Sequence, residues 1–460
     1  MTVSESNPQS NPQSNPLAPA GQPFDSQYPP DQSVMDTCVH CGFCLSTCPS
    51  YRVIGKETDS PRGRIYMMHD IGLGKAALSG VTVEHFDSCL GCLACVTTCP
   101  SGVAYDQLIA AMRPQIERNY TRSWPEQALR QLIFSIFPYP QRLRLLLRPL
   151  FLYQRLGLQQ WVRRNPFFKQ VLPKNLAAME SMLPPLTPAA FQDDFPEVIP
   201  AQGQQRYRVG MLLGCVQRIF LPEVNEATVR VLTANGCEVV IPKAQGCCAA
   251  LSHHQGQEEQ AKTLARQLID QFAPHGVDFV VINASGCGHT LKEYGHLLQD
   301  DPEYCDRAQT FAAQVRDVQE FLAEAGLTTE LSPLSRQRVL TLVYQDACHM
   351  LHGQKIQQQP RRLLQKIPGV RLREPIDAAL CCGSAGVYNI LQPDVGNELG
   401  RQKVQNLLNT QAKVIVSANV GCTLQIRKHL QLANQSTPVF HPMQLLDYAM
   451  RGEELPLAEG

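Results

Sequence analysis

The sequence predicts an α+β chain: an N-terminal, helical, cysteine-rich module followed by two repeated α/β halves with parallel sheets. Three observations carry that expectation. Residues 38–49 read CVHCGFCLSTCP and residues 89–100 read CLGCLACVTTCP, two copies of one cysteine run. From about residue 206 the chain repeats itself, with RVGMLLGC ending at Cys215 and LTLVYQDAC ending at Cys348. In both copies apolar runs alternate with helical stretches such as EEQAKTLARQLIDQF and LGRQKVQNLL, as in strands joined through helices.

Composition narrows the class. A chain of 460 residues implies roughly two to four domains, and 44% hydrophobic content is enough for real cores. The 41 basic residues balance 41 acidic ones, so bulk charge gives no attraction to nucleic acid. Residues 1–33 hold no apolar leader core, and no run of 18 apolar residues occurs. The chain is therefore expected in the cytoplasm, or held peripherally on the cytoplasmic face of a membrane. In that compartment the 18 cysteines read as metal ligands rather than disulfides.

Residues 1–30 include the polar repeat NPQSNPQSNP, which cannot bury enough apolar surface to order itself. A disordered tail is expected there. Residues 31–120 form the cysteine-rich module. Both runs fit C-x₂-C-x₂-C-x₃-C-P, the spacing of bacterial two-cluster ferredoxins. A [4Fe–4S] cube needs four soft thiolates, and the two-residue gaps let three of them wrap one corner region. The fourth sits too far round and crosses to the other cube. Cys38, Cys41, Cys44 and Cys99 are therefore assigned to one cluster; Cys89, Cys92, Cys95 and Cys48 are assigned to the other. C-x₂-C is also a zinc spacing, but zinc has little use for the third cysteine or the Cys-Pro ending.

Between the runs lies SPRGRIYMMHDIG, with Ser60 and Pro61 as a helix start. Arg62 and Arg64 either offset cluster charge or dock a partner, or they line a solvated helix face. Gly72, Gly74 and Ala77 fit GxGxxA, but no strand precedes them, so a dinucleotide site is excluded. DQLIAAMRPQIE reads as an amphipathic helix closing the module.

Residues 121–205 form a basic connector and linker. No acidic residue occurs from Gln127 to Met179, where nine basic ones interleave with leucines and aromatics. Such a stretch either lies on an anionic membrane surface or packs as connecting helices on neighbouring domains or subunits. Prolines at 138, 140, 149, 166 and 173 should cut it into short helices, which favours the connecting role.

The two halves span 206–335 and 336–460. Each carries a cysteine after a strand, a tandem pair, and a cysteine after a further strand: Cys215, Cys247, Cys248 and Cys287, then Cys348, Cys381, Cys382 and Cys422. The copies are offset by 133 to 135 residues, which marks a duplication. Loops beyond the carboxyl ends of parallel strands converge on one rim. Each half thus gathers four thiols, a candidate for an additional metal or cluster site. Cys237 and Cys305 fall outside the repeat and read as structural. His289, His349 and His352 lie near enough to ligate, although core-satisfied histidines are commoner.

CVHCGFCLSTCP, DSPRGRIYMM and CLGCLACVTTCPSGVAY, with CCGSAGVYNI in the second half, together resemble the iron–sulfur subunit of glycolate oxidase (glycolate dehydrogenase). The cysteine-rich halves are similar to those of heterodisulfide reductase B-type subunits and of the corresponding iron–sulfur subunit of anaerobic glycerol-3-phosphate dehydrogenase. The resemblance implies an oxidoreductase complex in which an FAD-binding subunit oxidises glycolate to glyoxylate. This chain would relay the electrons singly to a quinone or similar acceptor, binding no substrate and holding no catalytic residue. Lactate and glycerol-3-phosphate dehydrogenases use similar relays, and a heterodisulfide-reductase-like activity is the catalytic alternative. Departures bear on that alternative: Ala249 replaces the glycine of CCG, and Thr290 and Gln425 stand where heterodisulfide reductases carry a further cysteine.

Overall fold

The computed structural model describes residues 24–165, 180, 183–192, 194–336 and 339–457. The first 23 residues, and Phe167, Phe168, Lys169 and Lys174 of the connector, lie outside the described residues. Within the span expected to be a disordered tail, residues 24–30 are held on the module. Asp25 accepts from Nε of Arg118 at 2.8 Å and from Asn119 at 2.8 Å, and Gln115 caps its backbone N–H at 2.9 Å. One carboxylate against a guanidinium and two amides anchors a segment that composition leaves unstructured.

The described residues of the N-terminal module form helices and loops, with no strand. Its elements are α1 (Gln32–Asp36), α2 (Phe43–Thr47), α3 (Pro49–Ile54), α4 (Pro61–Gly72), α5 (Gly80–Asp87), α6 (Ala94–Thr98) and α7 (Tyr105–Asn119). α4 starts where the sequence places it: the Ser60 hydroxyl accepts from Gly63 N–H and Pro61 takes the first turn. Gly63 allows the approach of the preceding turn, since a Cβ there would meet the Glu57 carbonyl oxygen. Met68, Ile71, Phe86, Leu108 and Met112 form the small core.

Three helices follow: α8 (Trp124–Ile136), α9 (Pro140–Arg155) and α10 (Leu158–Arg164). Pro140 begins α9 as a first-turn proline, but Pro149 sits inside it and does not break it. A mid-helix proline frees the carbonyl four residues back. That residue is Leu145, 66% exposed, so the gap in the hydrogen-bond ladder falls on the solvent side of the helix.

The first half is a sheet of β1 (Val198–Ile199), β2 (Tyr207–Leu212), β3 (Cys237–Val240), β4 (Phe279–Ile282) and β5 (Val315–Asp317), in order β1-β3-β2-β4-β5. The second contains β6 (Leu340–Gln345), β7 (Val370–Arg373), β8 (Val414–Ser417) and β9 (Val439–Phe440), in order β7-β6-β8-β9. All pairings are parallel except β1 on β3, where Val198 faces Val240. β1 falls within the stretch expected to be linker. The central strands β2, β4, β6 and β8 are buried almost end to end, as sheets covered on both faces must be. Val209, Met211 and Leu232 share one core with Leu342, Val414 and Met443, so the two halves are fused.

Candidate metal centre

Cys89, Cys92 and Cys95 of the second run are buried, as is Cys48 of the first; the other four thiols are nearer the surface. Cys48, Cys89, Cys92 and Cys95 line one small cavity, together with Arg64, Tyr105, Pro49 and Pro61. Cys48 comes from the first run, so one crossing thiol joins three from the other. Left-handed turns at Gly42 (φ 86°) and Leu93 (φ 63°) immediately precede α2 and α6, which carry Cys44 and Cys95. Pro49 then starts α3 directly after Cys48. Cys38, Cys44 and Cys99 pack against the edge of the module core, and Cys41 is exposed.

Two arginines answer the charge of the buried thiolates. Arg64 is fully buried; it donates to the carbonyl of His85 at 2.7 Å and to the hydroxyls of Ser88 at 2.7 Å and Ser50 at 3.1 Å. The Ser50 hydroxyl is 3.2 Å from Sγ of Cys48. Arg113 donates to the Cys89 carbonyl at 2.7 Å. The Gly91 N–H and the Tyr105 hydroxyl point at Sγ of Cys89, at 3.4 and 3.7 Å. Burial pushes the Cys89 thiol up, but Arg64, Arg113 and those donors outweigh it and hold it below the ordinary value. Burial pushes Cys92 and Cys95 well above that value. Arg62, by contrast, is on the surface, bonded to Glu57 and to the His40 carbonyl. Of the two arginines the sequence offered for charge compensation, Arg64 faces the buried thiols, while Arg62 stands nearer the surface beside Cys44, to which its backbone N–H donates.

Tyr105 and Arg113 were not legible as site residues. The available signal was spacing: they lie eight apart on α7, where an arginine on the buried face needs a reason. The donor set fits an anionic iron–sulfur cube: four thiols around one space, a buried cation beside it, and N–H and O–H donors to sulfur. Among the described residues, no three His, Cys, Asp or Glu converge on a single-ion site.

The repeated halves meet at a second cavity of about 130 Å³. Its lining includes Cys215, Cys247, Cys248 and Cys287 of the first half and Cys348, Cys382 and Cys422 of the second. Each sheet changes winding direction between its two central strands, and the strand-end cysteines sit beyond that switch point. Thiol pairing is the same in both halves. Cys215 lies 3.3 Å from Cys247, and Cys248 interacts with Cys287; Cys382 lies 3.0 Å from Cys422, and Cys348 interacts with Cys381. Asn419 spans the two halves, accepting from Gly286 N–H at 3.3 Å and donating to Cys422 Sγ at 3.5 Å.

Cys381 turns away from this cavity toward the module. It packs with Leu90, Cys92, Ala94 and Tyr388 in one apolar cluster. Around that contact the Tyr388 hydroxyl donates to the Ser88 carbonyl at 3.0 Å, and His352 Nδ1 lies 2.8 Å from the Thr97 hydroxyl. His349, His254 and His289 form a ring cluster with centroids 4.7 to 6.3 Å apart, and burial holds His289 down to about 3. Thr290 bonds within its own helix to the Gly286 carbonyl, and Gln425 donates to the Gly396 carbonyl of a neighbouring helix. Cys237 is core in β3, and Cys305 opens a surface helix.

Family models match in three blocks: a 4Fe-4S dicluster domain over residues 34–103, the linker region of the glycolate oxidase iron-sulfur subunit over 125–183, and a cysteine-rich domain over both 209–292 and 342–427. A probable glycolate oxidase iron-sulfur subunit of Bacillus subtilis (strain 168) is 39% identical over 400 residues, covering 86% of this chain and 89% of that one. The glycolate oxidase iron-sulfur subunit of Escherichia coli (strain K12) is 34% identical over 424 residues, covering 92% and 95%. Lactate utilization protein A of Exiguobacterium sp. is 27% identical over 243 residues, covering 53% of this chain and 98% of that one.

Proposed function

The chain belongs to the glycolate oxidase iron-sulfur subunit family and is an iron–sulfur electron-transfer subunit of an oxidoreductase; from that premise we propose that it carries electrons from glycolate oxidation to a quinone. Its partner is an FAD-binding subunit, which takes the hydride as glycolate becomes glyoxylate. Cys38, Cys41, Cys44 and Cys99 hold one [4Fe–4S] cluster and Cys89, Cys92, Cys95 and Cys48 the other. Bound clusters supply one-electron oxidation and reduction, which converts a two-electron donor into single steps.

The residues of the chain set the conditions. Arg64 and Arg113 place fixed positive charge beside the second ligand set, and the Gly91 N–H and Tyr105 hydroxyl stabilise charge on Cys89 sulfur. Both effects favour the reduced state. Cys381 shares an apolar cluster with Cys92 and so brings the module up to the thiols of the second half, which would hold a further cluster. The chain works in the cytoplasm, at the membrane that contains the quinone; among the described residues no helix is long and apolar enough to cross it.

The observation that carries this reading is the convergence of Cys48, Cys89, Cys92 and Cys95 on one cavity beside buried Arg64. Anaerobic purification followed by iron and sulfide analysis tests it. About eight irons per chain is expected from the two runs, and clearly more if the repeated halves are loaded. A colourless preparation carrying zinc ends the proposal.

A further inference from the structure

We propose that the outer face of α9 docks on an anionic lipid bilayer. The inference rests on the reading that electrons leave for a quinone, which resides in that bilayer. Helix α9 is apolar on two opposite sides. Leu143 and Leu147 face inward, packing with Leu186, Ala190 and Ile219. At about 100° per residue, Leu145, Leu152 and Leu156 fall within roughly 40° of one another on the far side. They are 66%, 56% and 64% exposed. A helix serving only to connect would show polar residues there.

Charge identifies the occupant. Arg142 flanks the leucine stripe on one side, and Arg148 and Arg155 flank it on the other. Arg142 is steadied by the Tyr139 ring, 4.2 Å from its guanidinium carbon, and by the Ser135 carbonyl. Among the described residues neither Arg148 nor Arg155 makes an ion pair. From Gln127 to Met179 the sequence offers no carboxylate to answer these cations. A leucine stripe bordered by arginines matches acyl chains below and anionic headgroups above. Leu158 and Trp161, 43% and 56% exposed, continue the surface into α10, and tryptophan suits the headgroup level.

The test uses the full chain with its clusters, sedimented with vesicles of phosphatidylcholine alone or with one third phosphatidylglycerol. Wild-type protein is expected to sediment with the anionic vesicles and to release at high salt. Leu145→Ser/Leu152→Ser and, separately, Arg148→Glu/Arg155→Glu should each weaken binding about tenfold or more, with iron content unchanged. No binding to anionic vesicles, or variants that bind like wild type, overturns the proposal. So does loss of flavin-subunit binding with vesicle binding intact, because the face then belongs to a protein. Iron content in the same preparation reports separately on the electron-transfer reading.

Discussion

Nε2 of His349, on the second α/β half, lies 2.8 Å from the carbonyl oxygen of Gly91, inside the second cysteine run. A carbonyl only accepts, so the imidazole donates from Nε2. The bond fixes the loop between Cys89 and Cys92 against the half that carries Cys381. His349→Phe keeps the bulk and removes the donor. It should cost about 1–2 kcal/mol, the penalty for a buried carbonyl left unpaired. Faster hydrogen exchange at Gly91 to Ala94, with iron content retained, is the expected signature. Unchanged exchange would remove His349 from this role.

Cys92→Ser should remove the cluster of the buried set. Iron then falls from about eight to about four per chain, and electron delivery by the complex stops. Cys305→Ser is the control: that thiol belongs to neither run nor repeat, and both readouts should stay at wild-type level. If the chain were only a scaffold for a flavoprotein, Cys92→Ser would leave turnover intact.

How much of this was readable from residues follows from what is local. The cysteine runs and the duplication are spacing patterns, so both were legible. The strands β2, β4, β6 and β8 were legible because sheets buried on both faces write continuous apolar runs. Arg113 and Tyr105 were not, because α7 returns to the thiols only in three dimensions. Neither was the antiparallel β1: two residues in a Pro- and Gln-containing stretch carry no periodicity. Pro149 misled because a proline's cost depends on whether the freed carbonyl is wet, which sequence does not state.

The repeat's one broken letter gives a paired test. Gly383 has φ 83°, and a Cβ there would lie 2.5 Å from the Gly396 carbonyl oxygen. Its counterpart Ala249 holds φ 66° despite its side chain. Gly383→Ala should destabilise by about 2 kcal/mol or more, from left-handed strain and the backbone clash. Ala249→Gly should be neutral or stabilise by up to about 1 kcal/mol. Denaturant midpoints measure both. Equal effects at the two sites would mean the halves tolerate the position alike.

Acid should weaken the fold through buried neutral histidines. His441 lies 2.9 Å from the Asn283 carbonyl and accepts from Met443 N–H at 3.1 Å, and burial holds it down to about 3. Its folded value is below its unfolded one, so the unfolded chain takes the proton first. Stability is complete above about pH 6.5 and is lost as pH falls toward about 3. The slope from this group approaches about 1.4 kcal/mol per pH unit at its steepest. His441→Asn can keep the helix cap without titrating, so the gap between wild type and variant should narrow from pH 7 to pH 5. A constant gap would show that His441 does not titrate on unfolding.

Arg64 combines the structural and electronic roles of the buried site. It lies 3.7 Å from Asp59, whose carboxylate also accepts from the Ser88 hydroxyl at 2.6 Å and meets His85 at 3.0 Å. Arg64→Met fills most of the volume but strands the Asp59 charge, at a cost of about 3–5 kcal/mol. Asp59→Asn in the same chain removes that charge and should recover much of the loss. The double variant isolates the second role, because the positive charge beside Cys48 and Cys89 is still missing. An anionic centre without its cation is harder to reduce. The double variant should therefore retain iron yet show a more negative midpoint in an EPR-monitored redox titration of the buried centre. A wild-type midpoint would leave Arg64 with the fold alone.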